Sequence, residues 1–273
     1  MCARRSMTSP THSPRERLDT LLVSQGLAPS RENAVRTVLA GGVLVDGSIV
    51  DKPAKLVPRD ARIEVCKRAP FVSRAGEKLA PALEAFSINP SGTICLDVGC
   101  STGGFTDCLL QKAAAKVYAV DVGYGQLAWK LRQDPRVVLL ERTNIRYLDP
   151  SLVPELIQLA VIDVSFISLN LVLPSVVRFL QDGARVVALV KPQFEVGKGN
   201  VGPGGIVRDD RQRAGVAKKV MDCAAGLGLL ALGTRESTVK GRKGNREILV
   251  AFEYRSKMSA RSDDPARVRG EDA

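Results

Sequence analysis

The chain has 273 residues, 45% of them hydrophobic, which is enough for a sizeable core and for more than one domain. The formal net charge of +11 is compatible with a polyanionic partner, and the only histidine, His12, lies in a polar leader, so histidine catalysis is nearly excluded. The six cysteines form no C-x-x-C pair, which argues against a zinc site or a disulfide framework, and no segment approaches the ~18 to 20 apolar residues of a membrane span. We predict a cytoplasmic protein.

The first predicted elements form a small module over residues 15–66, after a leader over 1–14 that we expect to be disordered. The elements are helices over Glu16–Gly26 and Arg31–Ala40, a hairpin over Val43–Val50 that turns at Asp46-Gly47, and a strand over Arg62–Cys66. Two short helices followed by small strands resemble the alpha-L RNA-binding module of S4-type domains. The resemblance implies RNA contacts by Arg31 and Arg36 on the second helix. The alternative is an α+β accessory domain whose arginines are merely solvated.

A linker is predicted over 67–72, followed by a larger domain over 73–255 and a flexible tail over 256–273. Ser73 can cap a helix over Arg74–Phe86. The predicted strands lie near 94–98, 117–121, 137–140, 159–163, 185–190 and 247–254, and Leu227–Leu232 is either a strand or a helix. Apolar strands that alternate with helical stretches predict an α/β fold with a parallel, doubly wound sheet.

The strand predicted over Ile94–Val98 runs into a loop that contains Gly99, Gly103 and Gly104. Glycine permits positive φ and has no Cβ, so the backbone N–H groups of such a loop can approach a ligand closely. Asp121 follows the next strand at the spacing of a carboxylate that holds ribose hydroxyls. The alternative is an ordinary turn between a strand and a helix.

The loop has neither the G-x-x-x-x-G-K-[ST] pattern of a triphosphate site nor the G-x-G-x-x-G pattern of a dinucleotide site. Asp97 opens the loop, and its carboxylate would repel phosphate and favour a cationic ligand. S-adenosylmethionine fits this pattern, because its sulfonium and amino groups are positive and Asp121 can hold its ribose. We therefore expect a methyl donor as cofactor.

Five segments carry a pattern that, with the N-terminal module, covers nearly all of residues 15–254. They are Leu96–Phe105, Val120–Trp129, Glu141–Asn144, Asp163–Leu169 and Val190–Gly199. Together they resemble the TlyA family, whose members are often labelled haemolysins. The resemblance implies an S-adenosylmethionine-dependent methyltransferase with a Rossmann-like, seven-stranded, RrmJ/FtsJ-like domain that methylates cytidine ribose 2′-hydroxyls in 16S or 23S ribosomal RNA, or in both. It also implies cofactor contacts by Asp97, Gly99, Ser101, Thr102, Gly103, Gly104, Phe105, Asp121 and Asn144.

RrmJ-like enzymes carry a Lys-Asp-Lys-Glu tetrad, and the matching positions are Lys78, Asp163, Lys191 and Glu247. Asp163 and Lys191 each follow an apolar strand, which places them at the edge of a parallel sheet where ligands bind, and Glu247 opens the last, antiparallel strand. A ribose hydroxyl needs a base, for which we assign Lys191, while the two carboxylates hold the lysines and the hydroxyl. Partial burial and the charge of Lys78 would help Lys191 lose its proton, and Asp163 would oppose this. The alternative is a helix cap for Asp163 and a solvated strand end for Lys191.

Two segments are predicted to handle the substrate. Gly197–Asp210 is too glycine-rich to pack, and we expect a lid or an RNA-facing loop that includes Lys198, unless it is a plain flexible connection. Lys240–Arg246 places a cluster of positive charges just before Glu247, which would hold phosphates, unless it is a solvated turn. The charged residues of this cluster are Lys240, Arg242, Lys243 and Arg246.

Three other functions stay open on the sequence alone. A membrane-lysing protein needs an apolar span or a strongly amphipathic helix, and neither is evident. A catalytically silent RNA-binding factor would keep the small module without binding S-adenosylmethionine. A nicotinamide-dependent oxidoreductase would bind NADH at the glycine loop, which Asp97 disfavours. Our expectation is a monomer that acts on ribosomal RNA or ribosomal subunits and needs neither a membrane nor a metal.

Overall fold

The computed structural model describes residues 13–39, 42–65, 70–197, 201–241 and 244–256. The chain divides into two compact units, Met1–Pro70 and Phe71–Ala273. Most of the predicted leader, most of the predicted tail and part of the predicted linker lie outside the described residues.

The described part of the first unit contains two helices and five short strands. They are β1 (Arg15–Arg17), α1 (Leu18–Ser24), α2 (Arg31–Leu39), β2 (Val43–Val45), β3 (Ser48–Ile49), β4 (Leu56–Pro58) and β5 (Ile63–Val65). β1 pairs antiparallel with β4, and β2 pairs antiparallel with both β3 and β5. Leu18, Leu21 and Leu22 are buried in one apolar cluster, as their helical spacing predicts. The predicted hairpin turn is confirmed, because Asp46 and Gly47 have φ of 51° and 76°, the two positive values that a type I′ turn requires.

The start of the first helix differs from the prediction. The first helix begins at Leu18 and not at Glu16, because Arg15–Arg17 pairs with Leu56–Pro58 as a strand. The sequence pattern does not reveal the second of these strands, since it has three residues and ends in proline.

The second unit is built on a seven-stranded sheet. Its strands are β6 (Ile94–Val98), β7 (Lys116–Val120), β8 (Val137–Leu140), β9 (Ile157–Ile162), β10 (Leu180–Val190), β11 (Leu229–Glu236) and β12 (Ile248–Tyr254). Its helices are α3 (Arg74–Ala85), α4 (Gly104–Gln111), α5 (Trp129–Arg132), α6 (Leu169–Val176), α7 (Pro192–Glu195) and α8 (Asp210–Ala225). In the ambiguous run at Leu227–Leu232, the part from Leu229 onward belongs to β11, and Leu227 and Gly228 form the turn before it.

The strand order across this sheet is β11-β12-β10-β9-β6-β7-β8. β12 is antiparallel to both of its neighbours, and the other neighbouring pairs are parallel. The predicted α/β class with a mostly parallel, doubly wound sheet is confirmed.

The central strands are mostly apolar because helices cover both faces of the sheet, and Asp97 in β6 is a buried exception. Leu96 and Ala160 enter a cluster with side chains of α6 and α8. Cys95 and Val161, which point to the other face, enter a second cluster with side chains of α3 and α4. None of the helices in the described ranges combines the length and the apolar character that crossing a membrane requires.

Candidate active site

A cavity of about 860 Å³ opens at the carboxyl ends of the central strands. Gly99 follows β6, Asp121 follows β7, Asp163 follows β9 and Lys191 follows β10, and all four line the cavity. The chain order of the strands reverses between β6 and β9, and open α/β sheets bind their ligands at such a reversal. The volume suits a small-molecule site.

The glycines of the loop between β6 and α4 are required by the packing of the protein itself. Gly99 has φ +85°, and a Cβ there would lie 2.6 Å from the carbonyl oxygen of Asp163. Gly103 has φ +93°, and a Cβ there would lie 2.7 Å from Cδ1 of Leu127. Gly104 is crowded by the first turn of α3. Gly99 lines the cavity and Gly103 and Gly104 do not, and the cofactor contacts expected of the three glycines stay a prediction.

Asp97 is fully buried within β6 and does not line the cavity. Its Oδ2 accepts a 2.6 Å hydrogen bond from Thr106 Oγ1 on α4, and its Oδ1 has no hydrogen-bond partner among the described residues. Burial raises the pKa of this carboxyl to about 7, although the bond from Thr106 opposes the rise. Asp97 therefore lies beneath the loop and away from the cavity surface, and its contact with a cofactor stays a prediction.

Asp121 holds the glycine loop with both carboxylate oxygens. Oδ2 accepts a 2.8 Å hydrogen bond from the backbone N–H of Ser101, and Oδ1 accepts a 2.6 Å bond from that of Gly123. Ser101 has φ +48°, a left-handed conformation that few non-glycine residues adopt. Each oxygen of Asp121 keeps a further lone pair for a ligand hydroxyl. The predicted cofactor residues that also line the cavity are Ser101, Thr102, Phe105 and Asn144.

The four predicted catalytic residues line the cavity as two lysine–carboxylate pairs. Lys78 Nζ, on α3, lies 2.6 Å from Glu247 Oε2, and the two side chains are 11% and 3% exposed. Lys191 Nζ lies 2.6 Å from Asp163 Oδ1 as an ion pair whose angles do not make a hydrogen bond, and it donates instead to Ser165 Oγ at 2.9 Å. Two cations and two anions at one wall can orient a hydroxyl and move its proton.

Three further wall residues were missed by the sequence reasoning. The side chain of Phe166 is 90% exposed, its backbone has φ +65°, and its ring centroid lies 5.0 Å from that of Phe194. Gln193 also lines the cavity. The signal that could have found them is proximity in the chain, since each lies within three residues of Asp163 or Lys191.

Asn245 joins two loops at the cavity wall. Its side chain is 2% exposed, its Nδ2 donates to the carbonyl oxygen of Gly205 at 2.8 Å, and its Oδ1 accepts from the N–H of Val207 at 2.9 Å. Val207 is itself buried. The expectation that Gly197–Asp210 does not pack is therefore wrong for this part of the segment, because a buried amide satisfies its backbone.

The predicted RNA-binding residues of the second unit are distributed unevenly around this site. Lys240 lines the cavity, whereas Arg246 does not and lies 3.5 Å from Glu236. The remaining members of the group lie outside the described residues; they are Lys198, Arg242 and Lys243.

In the first unit, Arg31 and Arg36 are both exposed on α2. Arg31 Nε lies 3.2 Å from the carboxylate of Asp19, which is 1% exposed. The adjacent guanidinium of Arg17, with that of Arg31, lowers the pKa of Asp19 to about 2. Arg31 therefore braces the fold of the first unit, whatever else it contacts.

The seven-stranded sheet and the cavity at its carboxyl edge are typical of a doubly wound α/β protein, and the family matches define its class as a methyltransferase of the FtsJ-like type preceded by an S4 domain. The FtsJ-like methyltransferase family matches residues 71–254, and the S4 domain family matches residues 16–63.

The curated relatives and a solved structure narrow this class. The 16S/23S rRNA (cytidine-2′-O)-methyltransferase TlyA of Mycobacterium tuberculosis is 50% identical over 239 residues, which cover 86% of this chain and 89% of that protein. Hemolysin A of Brachyspira hyodysenteriae is 43% identical over 241 residues, or 86% of this chain and 99% of that protein. A solved structure from Streptococcus thermophilus has 44% identity and a TM-score of 0.69, covering 89% of this chain and 90% of that one. This chain belongs to the TlyA family of FtsJ-like methyltransferases.

Proposed function

We propose that the protein transfers a methyl group from S-adenosylmethionine to the 2′-hydroxyl of cytidine in ribosomal RNA, and therefore acts in the cytoplasm. The observation that carries the proposal is the convergence of Lys78–Glu247 and Lys191–Asp163 on one cavity beside the glycine loop. Membership of the TlyA family supports it, because the Mycobacterium tuberculosis relative is named for the same reaction.

The cavity wall formed by the loops after β6, β7 and β8 fits the cofactor. Asp121 has lone pairs left to accept ribose hydroxyls, and Asn144 lies on the same wall. In its ionised form, Asp97, with its unpartnered buried oxygen, adds negative potential beneath the loop, which suits a cation. When bound there, S-adenosylmethionine supplies an electrophilic methyl group.

The opposite wall carries the residues that handle the acceptor hydroxyl. Lys78, held by Glu247, orients the hydroxyl, and Lys191 accepts its proton as the oxygen takes the methyl group. A base must begin as the neutral amine, whereas Lys191 forms an ion pair with Asp163. A proton must therefore leave this pair before Lys191 can accept another.

Exposed aromatic and basic groups support an RNA acceptor over a small molecule. Phe166 presents an exposed ring at the cavity, and unstacked bases bind to such aromatic faces. Lys240 at the same cavity, and Arg31 and Arg36 of the first unit, provide charges for phosphates.

The function is tested by incubating the purified protein with ribosomal subunits that lack the modification and methyl-labelled S-adenosylmethionine. Mass spectrometry of the digested nucleosides should find the label in 2′-O-methylcytidine. Label on a nucleobase, or on the ribose of another nucleoside alone, would contradict the proposal.

Lys191→Met should abolish the transfer, because the substitution keeps the length of the side chain and removes the amine. The affinity of this variant for S-adenosylhomocysteine, measured by calorimetry, should stay within about twofold of that of the wild type. Lys191 lies on the wall opposite the cofactor residues, which we call the acceptor wall. Lys218→Met is the matched control, because Lys218 pairs with Asp222 on the exposed face of α8. Full activity in Lys191→Met would remove Lys191 as the base.

A further inference from the structure

Gln193 has an unsatisfied hydrogen-bonding group at the active-site cavity. Its Oε1 is buried and has no hydrogen-bond partner within the described ranges, although the residue lines the cavity. Another glutamine of this cavity, Gln126, has its Oε1 satisfied by the hydroxyl of Ser101 at 3.1 Å. A buried acceptor without a donor costs stability, and at the wall of a binding cavity a bound ligand can supply the missing donor.

The position of Gln193 places that ligand on the acceptor side of the site. Gln193 lies on α7, two residues after Lys191 and next to Phe194, whose ring contacts Phe166. The candidate cofactor residues follow β6, β7 and β8, on the other side of the cavity. In a nucleotide the base is attached to C1′, adjacent to the C2′ that carries the reacting hydroxyl. A nucleotide whose hydroxyl reaches Lys191 therefore has its base near this wall.

We propose that Gln193 determines specificity by reading the Watson–Crick edge of the acceptor cytosine. Its Oε1 accepts a hydrogen bond from the exocyclic 4-amino group, and its Nε2 donates to N3. The amide presents an acceptor beside a donor, which is the complement of the donor and acceptor on this edge of cytosine. The inference rests on the function proposed above. The tetrad contacts the ribose of the acceptor nucleotide, and Gln193 adds a contact to its base.

The test is a cycle of two proteins and two RNAs. One RNA carries the cytidine that the wild-type protein methylates, and the other carries 2-pyrimidinone riboside there, which lacks the 4-amino group and keeps the 2′-hydroxyl. In the wild type, removal of the amino group should lower kcat/KM on the order of ten- to a hundredfold. Gln193→Met should cause a similar loss with cytidine and less than about a threefold further loss with the analogue. If the loss of kcat/KM from the analogue and the loss from Gln193→Met multiply in the combined experiment, the two groups act independently and the proposal is overturned.

Three measurements distinguish the proposal from its rivals. Gln193→Met should bind S-adenosylhomocysteine as the wild type does, and a large loss would assign Oε1 to the cofactor and overturn the proposal. Gln212→Met, an exposed substitution on α8, should leave both rates unchanged. Gln193→Glu keeps an acceptor for the amino group but turns a second acceptor toward N3, so it should stay sensitive to the amino group at a lower rate. An analogue effect that is absent in Gln193→Glu would count against the contact.

The outcome also separates this inference from the function on which it rests. If the wild-type protein methylates no cytidine, the proposed function fails and the role of Gln193 falls with it. If the protein methylates cytidine and the cycle shows no coupling, the function stands and only the role of Gln193 is overturned.

Discussion

At the scale of single residues, Asp97 is where burial and charge conflict most directly. The carboxyl is fully buried, one oxygen is bonded to Thr106, and burial raises its pKa from 3.8 to about 7. Between pH 3.8 and about pH 7, the folded protein therefore keeps a proton on this carboxyl, whereas the unfolded chain has released it. Stability from this residue is complete below about pH 4, falls as the pH rises, and is lost above about pH 7.

Asp97→Asn should remove this dependence, because the amide does not titrate. The free energy of unfolding of the wild type, relative to that of the variant, should fall by roughly 2 to 3 kcal/mol between pH 5 and pH 8. Denaturant unfolding of both proteins across this range measures the difference. Parallel stability curves would show that Asp97 is already ionised at pH 5.

The Lys78–Glu247 pair has a structural as well as a chemical role, because both groups are almost fully buried. Lys78→Met leaves the charge of Glu247 without a partner and should cost about 3 to 5 kcal/mol of stability. The double variant Lys78→Met/Glu247→Gln should recover most of that loss and stay inactive. Thermal unfolding and methyl transfer, measured side by side, separate the two effects. A double variant that recovers both properties would exclude the pair from catalysis.

At the scale of elements, the glycine loop and the end of β9 form one packed unit. Gly99 lies so close to the backbone of Asp163 that an added Cβ would be 2.6 Å from its carbonyl oxygen, so the loop that borders the cofactor wall also places Asp163 on the opposite wall. The backbone packing of Gly99 against Asp163 therefore couples the position of the glycine loop to the position of the proposed catalytic carboxylate.

Gly99→Ala should therefore impair methyl transfer far more than a second glycine substitution with the same backbone conformation. Gly125→Ala is the matched control, because Gly125 has φ +71° but nothing within 4 Å of an added Cβ. The control should cost about 1 kcal/mol of stability from its positive φ, whereas Gly99→Ala must also displace Asp163. Equal rates of methyl transfer in the two variants would contradict the coupling.

The larger elements and the positions of Asp163, Lys191 and Glu247 at strand ends could be predicted from the sequence, because strand apolarity and charged strand ends are local signals. Lys78 lies within α3 and is indicated only by the resemblance to RrmJ-like enzymes. The sequence could not predict which lysine pairs with which carboxylate. Lys78 and Glu247 are distant in the chain and meet only when α3 packs on the sheet. The burial of Asp97 could not be predicted from the sequence either. An acidic residue before a glycine loop gives the same sequence pattern whether its side chain faces a ligand or Thr106. Gln193 carried no signal of its own beyond its distance from Lys191.

At the scale of the whole molecule, the net charge of +11 suits a chain that binds a polyanion. Arg36 is exposed on α2, whereas Arg31 is also committed to Asp19. Arg36 is therefore the cleaner probe of RNA contact by the first unit.

Arg36→Gln should weaken RNA binding and lower the slope of log affinity against log salt by about 1, because one phosphate contact is lost. The affinity for S-adenosylhomocysteine should not change, since the predicted cofactor residues all belong to the second unit. Filter binding at several salt concentrations measures the slope, with Lys218→Gln on α8 as the control for the loss of one exposed charge. An unchanged slope would place the RNA-binding surface elsewhere.

The proposed function is tested most directly by a nucleotide-level map of ribose methylation in ribosomal RNA. The map is compared among cells that carry the wild-type protein, cells that carry Lys191→Met, and cells that lack the protein. We predict 2′-O-methylated cytidines that are present with the wild type and absent from the other two. Identical maps in all three, or a map restored by Lys191→Met, would contradict this account of the site.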